Sequence, residues 1–148
     1  MKKTIYVIAG PTATGKSDFS IKLAKKINGV IINSDSMQVY KNLQILTARP
    51  TTSDTKNIPH YMYGYINGNE RYNVNKWCND AVDIIHQTFR DNLKPILVGG
   101  TGLYIDTLIN GLIDIPNIPE NIKYESEKIL KEFGKDFLIS QIKNFDPN

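Results

Sequence analysis

The sequence predicts an α/β protein with a three-layer core built on a parallel sheet. Three short apolar runs, at residues 4–8, 30–32 and 95–98, favour buried strands. Each run ends in a polar turn, and helical patterns lie between the runs. A strand–helix–strand order of this length implies that the first two strands form a parallel pair with a right-handed crossover. The 148 residues are enough for one domain with a core.

The turn after the first run has the pattern of a phosphate-binding loop. It reads Gly10-Pro11-Thr12-Ala13-Thr14-Gly15-Lys16-Ser17. In such a loop the glycines permit backbone angles that aim N–H groups at an anion, at the positive end of a helix. Lys16 adds a charge for the outer phosphates, and the Ser17 hydroxyl is a candidate Mg²⁺ ligand. A helix is expected over 16–27, ended by Asn28-Gly29. Together these features predict a P-loop NTPase-like core.

A polar cluster follows the second run, led by Asp35. Ligands of open α/β sheets bind outside the carboxyl ends of the strands, so we expect Asp35 to lie beside the phosphate loop. The residues alone leave two roles open for Asp35, a catalytic carboxylate or a helix N-cap. A second glycine-rich turn, residues 99–102, follows the third run and precedes a helix to Asn110. Thr101 offers a hydroxyl in that turn, with N-capping as the alternative.

The middle of the chain predicts a covering loop, a strand and a helix. Residues 42–59 are polar and contain two prolines, which is typical of a loop. His60 is interpreted as structural. The tyrosines at 61, 63 and 65 alternate as in a strand, with an aromatic surface for stacking on bases as the alternative. A helix is expected over 74–89, with Asn73 as its N-cap and Trp77 in the core.

The composition changes after a proline-punctuated linker at 115–119. Amphipathic helical pieces follow from residue 120, interrupted at Phe133-Gly134. We therefore expect a core at 1–115 and the beginning of a helical domain at 116–148. The net charge of +3 is compatible with a polyanionic partner. No apolar run approaches the ~18 residues of a membrane span, and a single cysteine fits a reducing cytoplasm.

Five segments in order resemble one known family, that of the tRNA dimethylallyltransferases. They are Gly10-Pro11-Thr12-Ala13-Thr14-Gly15-Lys16-Ser17, Asp35-Ser36-Met37-Gln38-Val39-Tyr40, Thr47-Ala48-Arg49-Pro50, Pro59-His60 and Val98-Gly99-Gly100-Thr101-Gly102-Leu103-Tyr104. The second and fifth segments separate this family from other phosphate-loop proteins. The resemblance covers essentially the whole chain.

The resemblance implies transfer of a dimethylallyl group from its diphosphate to the exocyclic amine of the adenosine 3′ of a tRNA anticodon. The phosphate loop would hold the diphosphate with Mg²⁺, and Asp35 would take the proton of the amine. Thr101 would contact the same nucleotide or the diphosphate, and Gln38 would help recognise the base together with Ser36 and Met37. By its position, Lys123 could touch tRNA phosphate, with a solvated helix lysine as the alternative. The implied partners are the tRNA anticodon arm and dimethylallyl diphosphate, with a monomeric protein.

The chain also departs from the family pattern. Leu46 replaces a usual glycine, Arg49 replaces a usual lysine, and residues 61–64 differ from the common His-Leu-Ile-Asp. Full members are about twice as long, so we expect a truncated form with impaired activity that needs a separately encoded C-terminal half. Two alternatives stay open, a P-loop small-molecule or nucleotide kinase and a non-catalytic remnant that binds diphosphate.

Overall fold

The computed structural model describes residues 3–55, 58–111, 118–143 and 145–146. The chain forms two compact units, Met1–Leu112 and Ile113–Asn148. The first unit contains a four-stranded parallel sheet in the order β1-β4-β2-β3. The strands are β1 (Tyr6–Ala9), β2 (Gly29–Asn33), β3 (His60–Tyr61) and β4 (Lys94–Gly99). The predicted parallel α/β fold is therefore confirmed.

The strand order corrects one expectation. The first two strands are parallel but do not pair with each other, because β4 lies between them. In the register, Ile96 of β4 is opposite Tyr6 on one side and Ile31 on the other. The last strand in the sequence, β4, is therefore an inner strand of the sheet.

Four helices accompany this sheet among the described residues of the first unit. They are α1 (Lys16–Ile27), α2 (Thr52–Thr55), α3 (Val74–Arg90) and α4 (Gly102–Asn110), and a 3₁₀ turn covers Lys41–Leu43. The predicted helix at 16–27 is confirmed as α1. The predicted N-cap of α3 is also confirmed, since the Asn73 side chain accepts a hydrogen bond from the N–H of Lys76. The residue that ends α1 in the left-handed conformation is Asn28, with φ 55°, whereas Gly29 already belongs to β2.

Side chains alternate between two cores on opposite faces of the sheet. On one face, Ile21 and Ala24 of α1 pack against Ile31 and Ile96. On the other face, α3 and α4 contribute the larger core, in which Trp77 stacks on Tyr104 with ring centroids 4.5 Å apart. Val30, Ile32 and Leu97 point from the strands into this second core. The predicted three layers are thus helix α1, the sheet, and helices α3 and α4.

Strand β1 is less buried than the sequence suggested. It lies at one edge of the described sheet, and alternate residues along it are exposed. Val7 in β1 and Ile5 just before it are 42% and 40% exposed, respectively. The expectation of a buried first strand was wrong for this face, because an apolar run does not reveal whether both sheet faces are covered.

The predicted strand through the alternating tyrosines is also wrong beyond residue 61. Met62 and Gly64 adopt left-handed backbone angles, with φ of 66° and 56°. An extended strand cannot contain such residues, so the chain turns and Tyr63 leaves the sheet. Tyr65 instead hydrogen-bonds to Asp80. The loop predicted at 42–59 is largely irregular, apart from its short helical turns.

The second unit contains one long helix, α5 (Glu120–Ile142). Gly134 inside it has non-helical angles, φ 80° and ψ 174°, so the predicted interruption is confirmed as a kink between two helical pieces. Most of the predicted linker, residues 112–117, lies outside the described residues. Within the part of the chain that the structure describes, no helix has both the length and the apolar character needed to cross a bilayer.

We predict that Gly99→Ala destabilises the fold while Gly102→Ala does not. A Cβ on Gly99 would lie 2.4 Å from the backbone carbon of Ser34, whereas a Cβ on Gly102 meets nothing within 4 Å. Overpacking of this kind costs about 1–3 kcal/mol of unfolding free energy. Thermal unfolding followed by circular dichroism measures both variants. Equal midpoints for the two would contradict the close approach of the two strand ends.

Candidate functional site

The carboxyl ends of the strands open onto a cleft of about 560 Å³. It joins three parts of the chain that are distant in sequence, namely the phosphate loop, the turn after β2 and the covering loop. The lining residues are Thr12, Ala13, Thr14, Gly15, Lys16, Ser17, Asp18, Asp35, Met37, Gln38, Leu46, Thr47, Ala48, Tyr63, Val98 and Gly99. Most residues predicted for the site are therefore brought together in one cavity.

The phosphate loop has the backbone geometry of an anion nest. Ala13 and Gly15 both have positive φ, 63° and 80°, and Gly15 is the residue that precedes α1. Left-handed residues between right-handed ones turn successive N–H groups to one side. Thr14 Oγ1 donates to the carbonyl of Pro11 at 2.8 Å and so braces the loop. Gly15 is at the N-cap position of α1, and no side-chain hydrogen bond caps the first turn of this helix. The N–H groups of that turn are therefore available to a bound anion.

The cationic group of the loop is held close to it. Lys16 Nζ donates to the carbonyl of Pro11 at 2.5 Å, and the half-buried side chain lines the cleft. Ser17 is exposed at the same wall. Among the described residues no group of three or more His, Cys, Asp or Glu could hold a metal ion.

Asp35 lies in the cleft at the end of β2, as the sequence predicted. Its Oδ1 accepts a hydrogen bond from the N–H of Met37 at 2.9 Å. No helix follows, so the alternative of a helix N-cap is replaced by a cap on a short turn. No described residue hydrogen-bonds to Oδ2 of Asp35. This carboxylate oxygen is the one that a ligand in the cleft could engage.

Thr101 lies in the predicted turn before α4, where its hydroxyl is bonded to Ser36. Its hydroxyl accepts from the N–H of Ser36 at 2.9 Å and donates to Ser36 Oγ at 3.3 Å. It makes no capping bond to α4 and does not line the cleft. Thr101 therefore links the second glycine-rich turn to the turn that carries Asp35. The hydroxyl of Ser36 is likewise turned toward Thr101, and Ser36 is not a lining residue either.

Gln38 and Met37 line the cleft, and Gln38 also supports the covering loop. Gln38 Nε2 donates to the carbonyl of Thr47 at 2.9 Å. Leu46, one of the departures from the family pattern, is 81% exposed and lines the same cavity. The covering loop thus forms the outer wall of the cleft through residues on both sides of Thr47.

Two other departures, Arg49 and the residue at 64, are in contact. The Arg49 guanidinium donates to the carbonyl of Tyr40 at 3.0 Å and to Gln44 Oε1 at 3.3 Å. A Cβ on Gly64 would lie 1.8 Å from Nη1 of Arg49. The guanidinium occupies the space that a side chain at 64 would take, so such a side chain would displace Arg49, and the left-handed φ of 56° at residue 64 separately favours glycine. Arg49 thus ties the covering loop to residue 40 through the space left open at Gly64.

Sequence reasoning missed two residues of the site, Asn33 and Tyr63. The sequence placed Tyr63 in a strand, but the ring lines the cleft. Burial, and then the negative charge of Asp35, raise the pKa of the Tyr63 phenol above its usual range. The signal in the sequence that could have indicated Tyr63 was the departure of residues 61–64 from the family pattern. Asn33 is fully buried beneath Asp35, and nothing in the sequence beyond its position pointed to it.

His60 does not line the cleft, and Lys123 is described within its own unit. The Nδ1 of His60 is 2.7 Å from the carbonyl of Ile58, and burial lowers the pKa of the ring below its ordinary value, so the neutral ring donates from Nδ1. This agrees with a structural role. Lys123 belongs to the second unit, where its Nζ pairs with Glu120 Oε1 at 2.5 Å on an exposed helix surface.

An anion nest at the carboxyl edge of a parallel sheet defines a phosphate-loop α/β protein. Family models described as IPP transferase and isopentenyl transferase match residues 38–148 and 3–63. The chain therefore belongs to the IPP transferase family. It is 46% identical over 143 residues to the tRNA dimethylallyltransferase of Pelagibacter ubique, covering 97% of this chain and 46% of that protein.

Further relatives agree in sequence and structure. The tRNA dimethylallyltransferase of Ehrlichia ruminantium is 45% identical over 97% of this chain and 47% of its own length. A solved eukaryotic dimethylallyltransferase acting on tRNA has a TM-score of 0.84 at 34% identity, covering 99% of this chain and 36% of that one. A tRNA isopentenylpyrophosphate transferase from Bacillus halodurans has a TM-score of 0.75 at 32% identity, covering 99% and 49%. The chain spans about half the length of the curated relatives it matches.

We predict that Gly64→Asp destabilises the protein and that Arg49→Lys added to it restores part of the loss. The single variant displaces the guanidinium from Tyr40 and Gln44 and puts a side chain at a left-handed φ of 56°, which together cost about 1–3 kcal/mol. Lysine removes the overlap with the guanidinium, although the left-handed backbone at 64 keeps a smaller cost. Gly68→Asp is the control, because a Cβ there has ordinary contacts. Strictly additive changes in unfolding free energy for the two substitutions would contradict the coupling.

Proposed function

We propose that this chain carries the diphosphate site and the catalytic base of a tRNA dimethylallyltransferase. The reaction transfers the five-carbon group from dimethylallyl diphosphate to the exocyclic amine of the adenosine 3′ of the anticodon. One observation carries the proposal. A phosphate nest and a carboxylate with an unengaged oxygen face the same 560 Å³ cleft. The names of the similar proteins, which refer to transfer to tRNA, support the same reaction.

The phosphate loop binds the leaving group in this proposal. Negative charge grows on the diphosphate as its bond to the allylic carbon breaks, and pre-arranged N–H groups stabilise that charge. The Lys16 ammonium moves from the carbonyl of Pro11 to a phosphate oxygen, an exchange within reach of the same loop. Because these donors act mainly on the departing diphosphate, they lower the barrier of the chemical step as well as bind the substrate.

Mg²⁺ fits the donor set at the loop. This ion is usually held by one or two protein oxygens together with phosphate oxygens and waters. The exposed Ser17 hydroxyl supplies such an oxygen at the wall that the diphosphate would occupy. When bound, the ion would neutralise part of the diphosphate charge. The same role can be tested by leaving Mg²⁺ out of the binding assay.

Asp35 is the proposed general base. The adenine must leave its stack to enter the cleft, as in other enzymes that act on a base. The amine nitrogen forms the new bond to the allylic carbon, the carbon–oxygen bond breaks, and the amine proton passes to Asp35 Oδ2. Oδ1 stays bound to the N–H of Met37, which fixes the orientation of the carboxylate. Met37 and Gln38 form the wall beside it and are proposed to contact the nucleotide.

Thr101 and Ser36 support this site without lining the cleft. Their mutual hydrogen bonds join the turn that carries Asp35 to the turn after β4. We propose that Thr101 acts chiefly through this link, although a hydroxyl so close to the cleft can also reach a ligand after a rotamer change. Lys123 is proposed to contact tRNA phosphate. Its exposed pair with Glu120 is worth little and can be exchanged for a phosphate contact.

The kinase alternative is less well supported. Besides the loop lysine, phosphoryl transfer from ATP commonly uses an arginine that closes on the transferred phosphate. Of Arg49, Arg71 and Arg90, none lines the cleft, and Arg49 is engaged by Tyr40 and Gln44. Comparing the binding of dimethylallyl diphosphate with that of ATP distinguishes the two functions.

The recognition of tRNA needs a wider surface than one cleft. Affinity for nucleic acid comes from many phosphate contacts, and these 148 residues carry a net charge of +3. We therefore propose that the chain alone binds dimethylallyl diphosphate but modifies tRNA poorly. Fusion to the C-terminal half of a full-length relative is expected to give turnover on an anticodon stem-loop. Full activity of the 148 residues alone would contradict this part of the proposal.

We predict that Lys16→Ala lowers the affinity for dimethylallyl diphosphate in the presence of Mg²⁺ by at least ten-fold. The variant removes a charge from a solvent-accessible nest and no core contact, so the unfolding midpoint should stay the same. Lys22→Ala is the matched control, since Lys22 is an exposed lysine of the same helix outside the cleft. Titration calorimetry measures both. Equal affinities of the two variants would refute the role of the loop.

We predict that Asp35→Asn abolishes transfer in the fusion protein and leaves tRNA binding unchanged. The amide keeps the hydrogen bond from the N–H of Met37 but cannot take a proton. The assay is formation of isopentenyl-adenosine on the stem-loop, with filter binding as the measure of affinity. An active Asp35→Asn fusion would remove Asp35 as the base and leave the diphosphate site unaffected.

A further inference from the structure

Asn33, the last residue of β2, has a buried side chain that serves the site. Its relative exposure is 0%, and its amide makes three hydrogen bonds. Nδ2 donates to the carbonyl oxygens of Asp35 at 2.9 Å and Met62 at 3.1 Å. Oδ1 accepts from the N–H of Asp35 at 2.9 Å. Both protons of the amide group and its oxygen are therefore in use.

The first effect of this amide is on Asp35. One side chain holds both backbone polar groups of Asp35, at a point where the chain has left the sheet and no helix has begun. The backbone of Asp35 then cannot rotate without breaking two partly buried hydrogen bonds. Asn33 thus holds the backbone of Asp35, and the N–H of Met37 holds its Oδ1. Together they fix the direction of the carboxylate into the cleft.

The second effect is on the turn that carries Tyr63. Met62 has a φ of 66°, which is unfavourable for a residue with a side chain. Such a conformation persists where surrounding contacts determine it. The bond from Asn33 Nδ2 to the carbonyl of Met62 is one of these contacts, and the next residue, Tyr63, lines the cleft.

Asn33 is itself anchored. Its backbone belongs to β2, in register with Val98 of β4, and its carbonyl accepts a hydrogen bond from Trp77 Nε1 at 3.0 Å. Trp77 is completely buried in α3. A rigid sheet and a core tryptophan therefore hold the residue that orients two walls of the cleft.

We propose that Asn33 is a positioning residue that sets the Asp35 carboxylate and the Tyr63 ring at fixed places in the cleft. The proposal rests on the function proposed above for Asp35. Asparagine is suited to the role because two donors and one acceptor are needed in a small buried space. An aspartate there would face two carbonyl oxygens without two protons to offer. A leucine of similar size would offer none.

The test is Asn33→Leu in the fusion protein, compared with Thr88→Val. Thr88 is also buried, and its hydroxyl donates to the carbonyl of Ile84 within α3, outside the cleft. Asn33→Leu is expected to lower kcat for transfer about 10²-fold, the typical cost of a small misplacement. The affinity for dimethylallyl diphosphate should change less than two-fold, because Asn33 makes none of its hydrogen bonds to the phosphate loop. Thr88→Val should leave both quantities unchanged.

Amide hydrogen exchange by NMR gives a second readout that does not need turnover. In Asn33→Leu the N–H of Asp35 should exchange at least ten-fold faster. The N–H of Ser34, bound to the carbonyl of Val98 at 2.9 Å, should keep its protection. If Asn33→Leu does not fold, Asn33→Ser, which cannot reach both partners, takes its place in both experiments.

The outcomes separate the two proposals. An unmodified fusion that binds the stem-loop and dimethylallyl diphosphate without transfer would overturn the proposed function, and exchange at Asp35 would still decide the role of Asn33. A folded variant with normal kcat, or with unchanged exchange at Asp35, would overturn the positioning role. A parallel loss of diphosphate affinity and kcat would overturn it as well, since it would show general disturbance of the cleft.

Discussion

The ends of β2 and β4 approach each other so closely that no side chain fits between them. A Cβ on Gly99 would overlap the backbone of Ser34, and the N–H of Ser34 donates to the carbonyl of Val98 at 2.9 Å. The two polar turns that follow these strands are therefore in direct contact. The N–H of Thr101 reaches the carbonyl of Ser34, and a Cβ on Gly100 would be 3.3 Å from the carbonyl of Gly10. This contact places all three turns around one cleft.

The cleft combines two opposite electrostatic tasks within this arrangement. The phosphate loop lines the cleft with the positive end of α1 and Lys16, while Asp35 places a carboxyl group at the adjacent strand end. Burial, and then the negative charge of Asp35, raise the pKa of the Tyr63 phenol. Tyr63 therefore stays a neutral wall of the cleft at physiological pH. A substrate with an anionic leaving group and a neutral amine acceptor matches these charges.

Local patterns were sufficient to predict the elements, but not how they pair or where the chain turns. Apolar periodicity and the phosphate-loop pattern indicated β1, α1, β2, α3 and β4 because those signals are carried by neighbouring residues. The insertion of β4 between β1 and β2 depends on which strands meet in space, which no single run encodes. The tyrosine alternation failed for a similar reason. The positive φ of Met62 is supported by Asn33, and that of Gly64 leaves room for Arg49, both distant in sequence.

The most direct test is a crystal structure of this chain with dimethylallyl diphosphate and Mg²⁺. We expect diphosphate oxygens against Lys16 Nζ and the N–H groups of residues 14–17, with Mg²⁺ at the Ser17 hydroxyl. The allylic carbon should lie on the side of the cleft that carries Asp35 and Tyr63. A diphosphate bound outside the loop, or an allyl group directed away from Asp35, would contradict the account.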